Sequence, residues 1–193
     1  MLMLLRFLSN GLRNFVYRLR TRGWRAALIW LGGHGLPKLT GIPYLQYSRI
    51  TPEIYVGPQI SPVGKKQLKA WGIASSVNMR DEFDDAAHGL ALKHYCYLPT
   101  DHGQAPTIQQ LEQGIAFIQQ MLGQNEKVYI HCRSGVGRAP TMAAAYFMRQ
   151  GYTMNEAVRL IGQARPFINI TLAQLEVLRQ LEQRRRLILP ISG

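Results

Sequence analysis

The apolar residues of this chain fall into short runs and helical stripes that alternate over most of its length. Four runs are short and rich in β-branched or aromatic side chains, as buried strands are: Ile54-Tyr55-Val56-Gly57, Ser75-Ser76-Val77-Asn78-Met79, Tyr95-Cys96-Tyr97-Leu98 and Val128-Tyr129-Ile130-His131. Between and after them the period becomes helical. Residues 62–71 form one such stretch and residues 108–122 another, with Leu111, Ile115, Ile118 and Met121 on one face. Residues 139–149, 155–164 and 172–186 continue the pattern. Strands alternating with helices predict an α/β domain with a central, mostly parallel sheet covered by helices. In such sheets ligands bind beyond the carboxyl ends of the strands. The run Val128-Tyr129-Ile130 leads directly into His131-Cys132, which puts a reactive residue at that end.

The first 49 residues read differently. They carry Arg6, Arg13, Arg18, Arg20, Arg22, Arg25, Lys38 and Arg49, and no acid occurs before Glu53. Leu5, Leu8, Leu12, Phe15, Val16 and Leu19 recur at helical spacing, whereas Arg6, Asn10, Arg13, Asn14 and Arg20 lie mostly elsewhere around the helix. Residues 26–31 are apolar but too few to span a bilayer. The pattern predicts a basic amphipathic N-terminal segment over residues 1–35, lying on a membrane surface with Trp24 and Trp30 at headgroup level. The same pattern suits a cleaved organellar targeting peptide, or a helix packed on the domain by its apolar face. Peripheral attachment to a membrane from the cytoplasm and a mitochondrial-type location are the corresponding alternatives. The turn-rich stretch Gly32-Gly33-His34-Gly35-Leu36-Pro37, followed by Gly41-Ile42-Pro43, marks the expected boundary before a domain over residues 45–189.

At 193 residues the chain has room for one domain and an extension. Its formal charge of +12 favours anionic partners without choosing among them. No recognised module or basic-aromatic array points to nucleic acid. The two cysteines, Cys96 and Cys132, sit in no metal-ligand spacing, which argues against a zinc site or a disulfide framework and fits a reducing compartment.

The chemistry concentrates in His131-Cys132-Arg133-Ser134-Gly135-Val136-Gly137-Arg138. A strand ends, a glycine-containing loop turns, and a helix starts near Arg138, with Pro140 tolerated in its first turn. Gly135 and Gly137 let the backbone curl so that successive N–H groups face inward as an anion nest at a helix N-terminus. The same field favours the thiolate of Cys132. Arg138 can return from the helix to grip two phosphate oxygens. The lysine and hydroxyl of a nucleotide-binding P-loop are missing. Asp101, in the loop Thr100-Asp101-His102-Gly103-Gln104-Ala105-Pro106, is the candidate acid for a leaving alkoxide, with the capping of a turn as its alternative. Cys96 reads as a buried structural cysteine and His102 as a surface loop histidine.

His131-Cys132-x5-Arg138 resembles the signature loop of the protein tyrosine phosphatase superfamily, and the short Asp101 loop before it resembles the dual-specificity branch. The similarity is greatest to the mitochondrial-type phosphatidylglycerophosphate phosphatases. It also draws on Tyr47-Ser48-Arg49-Ile50 entering the first strand, on Val77 through Asp84, on the Asp101 loop through Pro106-Thr107, on Ala143-Ala144-Ala145-Tyr146, and on Arg165-Pro166-Phe167-Ile168 through Gln174-Leu175. The resemblance implies a dual-specificity-phosphatase-like domain that hydrolyses phosphomonoesters without metal or other cofactor. Cys132 would be the nucleophile, Arg138 the phosphate clamp, the backbone amides of Arg133, Ser134, Gly135, Val136, Gly137 and Arg138 the phosphate-binding groups, Asp101 the general acid and then base, and His131 a support for the loop and thiolate. The substrate implied is an anionic membrane phospholipid such as phosphatidylglycerophosphate, with phosphoprotein or phosphoglucan as the alternative and a non-catalytic phosphate-binding module as a further one. The acidic run Asp81-Glu82-Phe83-Asp84-Asp85 matches a family segment flanking the pocket but reads equally as a solvated turn. One position departs from the pattern: Ala139 stands where relatives commonly carry Ser or Thr, with Thr141 two residues on.

Overall fold

The computed structural model describes residues 12–13, 15–17, 19–20, 23–25 and 27–188, residues 185–188 by backbone alone. Its centre is a sheet of four strands: β1 (Ile54–Gly57), β2 (Ile73–Arg80), β3 (His94–Thr100) and β4 (Lys127–His131). They lie in the order β1-β4-β2-β3, and every pairing is parallel. Each expected strand is present, extended by a residue or more where the neighbouring strand offers partners.

Strand alternation sorts the side chains onto two faces. Ile54, Val56, Val128, Ile130, Val77 and Leu98 enter the larger apolar cluster. Tyr55 and Tyr129 point the other way, into a smaller cluster with Ile60, Leu68, Ile73 and Leu92. Helix α3 (Pro62–Ala70) supplies Leu68 to that smaller side and begins at Ser61, whose hydroxyl caps Gly64 N–H. The larger face is covered by α4 (Ile108–Gly123), α5 (Arg138–Arg149), α6 (Met154–Ala164) and α7 (Leu172–Ile188). Leu111, Ile115, Ile118 and Met121 of α4 are all buried, as the spacing requires. Residues 138–148 of α5 are buried throughout, and its small Ala143-Ala144-Ala145 run admits close packing on every side. Reciprocal capping boxes, Thr107 with Gln110 and Thr153 with Glu156, start α4 and α6.

The segment before the sheet departs from expectation. Leu31–Gly35 is a π-helical turn running into α1 (Leu36–Thr40), where the sequence suggested turns and a boundary. The reason is a close approach: a Cβ on Gly33 would stand 2.2 Å from the Phe167 ring and 2.9 Å from that of Tyr47. Glycine here lets a helix lie against the domain instead of breaking it. Trp30, expected at headgroup level, is buried and stacks towards His34, which in turn meets Phe167. Trp24 remains exposed, as do Leu12, Leu19 and Leu28. Leu5, Arg6, Leu8, Asn10, Asn14, Arg18 and Arg22 of the amphipathic stretch, and residue 189 of the expected domain, lie outside the described residues. Tyr47-Ser48, expected to lead straight into β1, ends a short helix α2 (Leu45–Ser48). Among the described residues no helix is long and apolar enough to cross a membrane.

Candidate active site

Cys132 follows β4 directly, at the carboxyl end of the sheet, and is buried. The loop behind it is held by its carbonyls. Gln59 N–H donates to Arg133 O at 3.4 Å, Arg165 Nε to Gly135 O at 3.1 Å, Asn169 N–H to Val136 O at 2.6 Å, and Thr141 N–H to Gly137 O at 3.0 Å. All peptide bonds here are trans, so the N–H of each following residue points opposite to its tethered carbonyl. Ser134, Val136, Gly137 and Arg138 thereby turn their N–H groups away from the scaffold, which is the geometry of an anion nest. Gly135 adopts φ +65, and a Cβ there would meet the Gly57 backbone at 2.5 Å. No other residue type fits that contact without moving β1.

Cys132, Arg133, Ser134, Val136, Gly137 and Arg138 line one cavity of about 130 Å³. Gly135 forms the back of the loop instead. His102 and Gly103 close the cavity on one side, with Asn169, Thr171 and Gln174 on another. The buried Gln174 ties these walls together, donating to Gln104 O at 2.8 Å while accepting from Thr171 N–H. Asp101 is exposed and does not line the cavity, although the residues that follow it do. His102 is exposed, as expected, yet belongs to the cavity rim.

Arg138 is almost wholly buried, and its guanidinium is fixed from several directions. Nη1 donates to Thr100 O at 2.6 Å, Glu82 Oε2 at 2.9 Å and Asp81 Oδ1 at 3.2 Å, and Nη2 to Glu82 Oε1 at 3.1 Å. Burial works against the charge on Glu82, but the hydrogen bonds and charge of Arg138 prevail and hold its carboxyl well below the ordinary range. The Thr100 carbonyl that Arg138 grips is the one preceding Asp101, so the guanidinium and the loop that starts at Asp101 are fastened to each other.

His131 lies behind the loop with no exposure, its Nε2 3.0 Å from Asp85 Oδ2 in a close ion-pair contact. Asp85 also accepts from Gln59 Nε2 at 2.7 Å, and Gln59 Oε1 accepts from Arg80 Nη1 at 3.0 Å. Burial opposes ionisation of Asp85, but His131, Gln59 and Arg80 outweigh it and lower its pKa. Arg165 is fully buried beneath the loop. It donates to Gly135 O, to Val56 O at 2.8 Å and to Tyr47 O, and its guanidinium lies 4.8 Å over the Phe167 ring. Burial pushes its pKa down to about 10, which leaves it charged near neutrality. Cys96 is buried away from these groups, and burial raises its thiol to about 11. Among the described residues no group of three or more His, Cys, Asp or Glu side chains could hold a metal ion.

Asp81, Glu82, Asp85, Gln59, Arg165 and Gln174 were not assigned to the site from sequence. The acidic run offered a signal in its place just after the carboxyl end of β2. Gln59 offered none, and Arg165 and Gln174 lay in a segment that carries the resemblance without pointing to a role, because the roles of all three come from contacts distant in the chain.

Known proteins share this arrangement. The family model of the dual specificity phosphatase catalytic domain matches residues 54–184. The human phosphatidylglycerophosphatase and protein-tyrosine phosphatase 1 is 25% identical over 148 residues, covering 72% of this chain and 74% of that protein. The crystal structure of PTPMT1 in complex with PI(5)P superposes with a TM-score of 0.65 at 25% identity, over 70% of this chain and 94% of the other. Human DUSP28, at 18% identity, shares the fold with a TM-score of 0.66 over 72% and 98%. The family match over most of the domain, the relative's sequence and the shared sheet agree: the chain belongs to the dual-specificity phosphatases, cysteine-dependent phosphoric monoester hydrolases of the protein tyrosine phosphatase superfamily.

Proposed function

We propose that this chain hydrolyses the phosphomonoester of a membrane phospholipid, such as phosphatidylglycerophosphate, through a cysteinyl-phosphate on Cys132. The observation that carries this reading is the set of loop N–H groups turned away from the scaffold beside Cys132, with Arg138 buried in the same cavity. In the first step the Cys132 thiolate attacks phosphorus as the bond to the leaving alkoxide breaks, and Asp101 gives that oxygen its proton. In the second, Asp101 takes a proton from the attacking water, the P–S bond breaks, and inorganic phosphate leaves with the thiolate restored. The loop N–H groups and Arg138 hold the equatorial oxygens, whose charge they match best in the transition state. No metal is required by either step.

The lipid assignment draws on the phosphatidylglycerophosphatase named among the relatives and on the PI(5)P bound to the related structure. Exposed Leu12, Leu19, Trp24 and Leu28 beside Arg13, Arg20 and Arg25 support a peripheral membrane contact through the N-terminal segment. Ala27 and Trp30 are buried and Gly33 lies against Phe167 and Tyr47, so this stretch packs one face on the domain while Leu28 stays exposed. The same human relative is also named a protein-tyrosine phosphatase, which keeps phosphoprotein as the second reading.

Turnover of phosphatidylglycerophosphate vesicles, a phosphotyrosine peptide and a phosphoglucan tests the substrate. Preference for the lipid is expected, and preference for the peptide would transfer the assignment. Cys132→Ser abolishes turnover and a chelator leaves it intact; chelator-sensitive activity surviving in Cys132→Ser would defeat the mechanism. Flotation with anionic vesicles is expected to weaken in Trp24→Asp/Leu28→Asp, and unchanged flotation would remove the anchoring role.

A further inference from the structure

A second, larger cavity of about 330 Å³ lies beside the first, and Arg133 lines both. Its other cations are Lys38 from α1 and Arg80 from the end of β2, joined by the polar groups of Thr40, Gln59 and Ser61. No carboxylate lines it. The walls are tied in place. Ser61 N–H donates to Gly41 O at 2.9 Å and its hydroxyl to the same oxygen at 3.3 Å, which seats the end of α1 against the start of α3. Gln59 N–H holds Arg133 O, so this cavity and the phosphate loop share a hydrogen bond. Arg80 is oriented by Gln59 at 3.0 Å, by Glu82 at 3.1 Å and by the Phe83 ring at 4.9 Å.

The energetics favour an anion there. Burial and the neighbouring Arg133 both work against the charge of Lys38 and lower its pKa. Cations gathered in one recess repel each other, and a phosphate placed among them relieves that repulsion while gaining charge-assisted hydrogen bonds. The recess is contiguous, through Arg133, with the loop that holds the reacting phosphate.

We propose that this cavity is a second phosphate subsite, taking the phosphodiester of a substrate whose phosphomonoester sits over Cys132. The ligand class is two phosphates linked by a short polyol, and the assignment rests on the phosphomonoesterase reading above. It gives the segment before the sheet a role in specificity, since Lys38 and Thr40 come from α1. A peptide bearing a single phosphate leaves the subsite unused.

The test is calorimetric titration of the full-length Cys132→Ser protein, which holds ligand without turnover. Glycerophosphoglycerophosphate, the deacylated head group, is expected to bind about tenfold or more tightly than glycerol 3-phosphate. Lys38→Glu in that background erases the difference and leaves glycerol 3-phosphate within about twofold, since an exposed approach to the loop is screened by salt. Should Lys38→Glu melt early, Lys38→Gln is expected to remove part of the advantage, about threefold, from a stably folded protein. An advantage that is missing in Cys132→Ser, or that survives both substitutions, overturns the subsite. Titration with inorganic phosphate alone separates the sources: a second bound equivalent lost in Lys38→Glu would make this a site for an unlinked ion and overturn the assignment to substrate. Turnover of p-nitrophenyl phosphate by the wild-type chain is read in parallel. Its absence would sink the phosphatase reading while the binding difference still reports on the subsite.

Discussion

Glu82 grips the guanidinium of Arg138 with both carboxylate oxygens, Oε2 at 2.9 Å from Nη1 and Oε1 at 3.1 Å from Nη2. With Thr100 O and Asp81 also on Nη1, that side of the guanidinium is committed to the protein. Nε and the outer Nη2 hydrogen form the side that a phosphate can take. The acidic pair thus sets the angle of the clamp as well as offsetting its charge.

Glu82→Gln keeps the shape but weakens the bidentate grip. The expected result is a fall of roughly 10- to 100-fold in kcat/KM on p-nitrophenyl phosphate, the scale of one charge-assisted pair. Inhibition by inorganic phosphate should weaken in parallel, because the same guanidinium binds both. Unchanged kinetics would show that Arg138 is positioned by its backbone contacts alone.

Behind the loop, Asp85 ionises more readily in the fold than in the unfolded chain, because the partners His131, Gln59 and Arg80 overcome its burial. Its charge therefore stabilises the fold above the ordinary carboxylate value of 3.8, and that contribution is lost as pH falls through the lowered folded value. Asp85→Asn is expected to destabilise by about 3 kcal/mol near neutrality, as breaking one side of a buried pair does. Thermal melting from pH 7 to pH 3 checks it. The wild-type curve should fall more steeply towards the acid end than the variant's, and parallel curves would count against the pair.

The parts of this molecule that were legible in sequence are those encoded locally. Strand runs and helical stripes are set by the period of neighbouring side chains, and one short segment supplies Cys132, Arg133, Ser134, Val136, Gly137 and Arg138 to a single cavity. What escaped was non-local. Arg165 belongs to a segment that carries the resemblance, yet its neighbours in sequence do not reveal that it reaches Tyr47, Val56 and Gly135 from far along the chain. Asp85 looked like part of a solvated acidic turn until His131 was brought against it. Gly33 was taken as a breaker because its signal, conformational freedom, is the same whether glycine makes a turn or admits a neighbouring ring. Trp30 was misplaced for the related reason that a tryptophan beside arginines suits a membrane surface and a protein core alike.

Ala139 is fully buried at the first turn of α5, and the nearby Thr141 hydroxyl is spent on Gly137 O at 3.0 Å. The usual hydroxyl next to the signature arginine is therefore replaced by a methyl with no substitute in the same turn. Ala139→Ser is expected to raise kcat about three- to tenfold if breakdown of the cysteinyl-phosphate limits turnover. Rapid-quench measurements should show the burst of released alcohol shrinking while its rate holds. A stability loss of about 1 kcal/mol is the accompanying cost of a buried hydroxyl.

Asp101 is the one proposed catalytic group that the cavity does not enclose, and its role turns on how the leaving group departs. The rim residues His102 and Gly103 follow it directly, and Gly103 O and Gln104 O are bound by Thr171 and Gln174. Its backbone is anchored at Thr100 O by Arg138. A loop fixed on both sides keeps Asp101 beside the rim of the cavity. Asp101→Asn is therefore expected to cost about 10²- to 10⁴-fold on an alkyl phosphate, whose alkoxide needs a proton. On p-nitrophenyl phosphate, whose phenolate leaves unaided, the formation step should slow by no more than about tenfold. Single-turnover rates on both substrates separate the cases. Equal losses on the two would mean that Asp101 shapes the loop without donating a proton, and the acid would then have to be sought at His102 on the same rim.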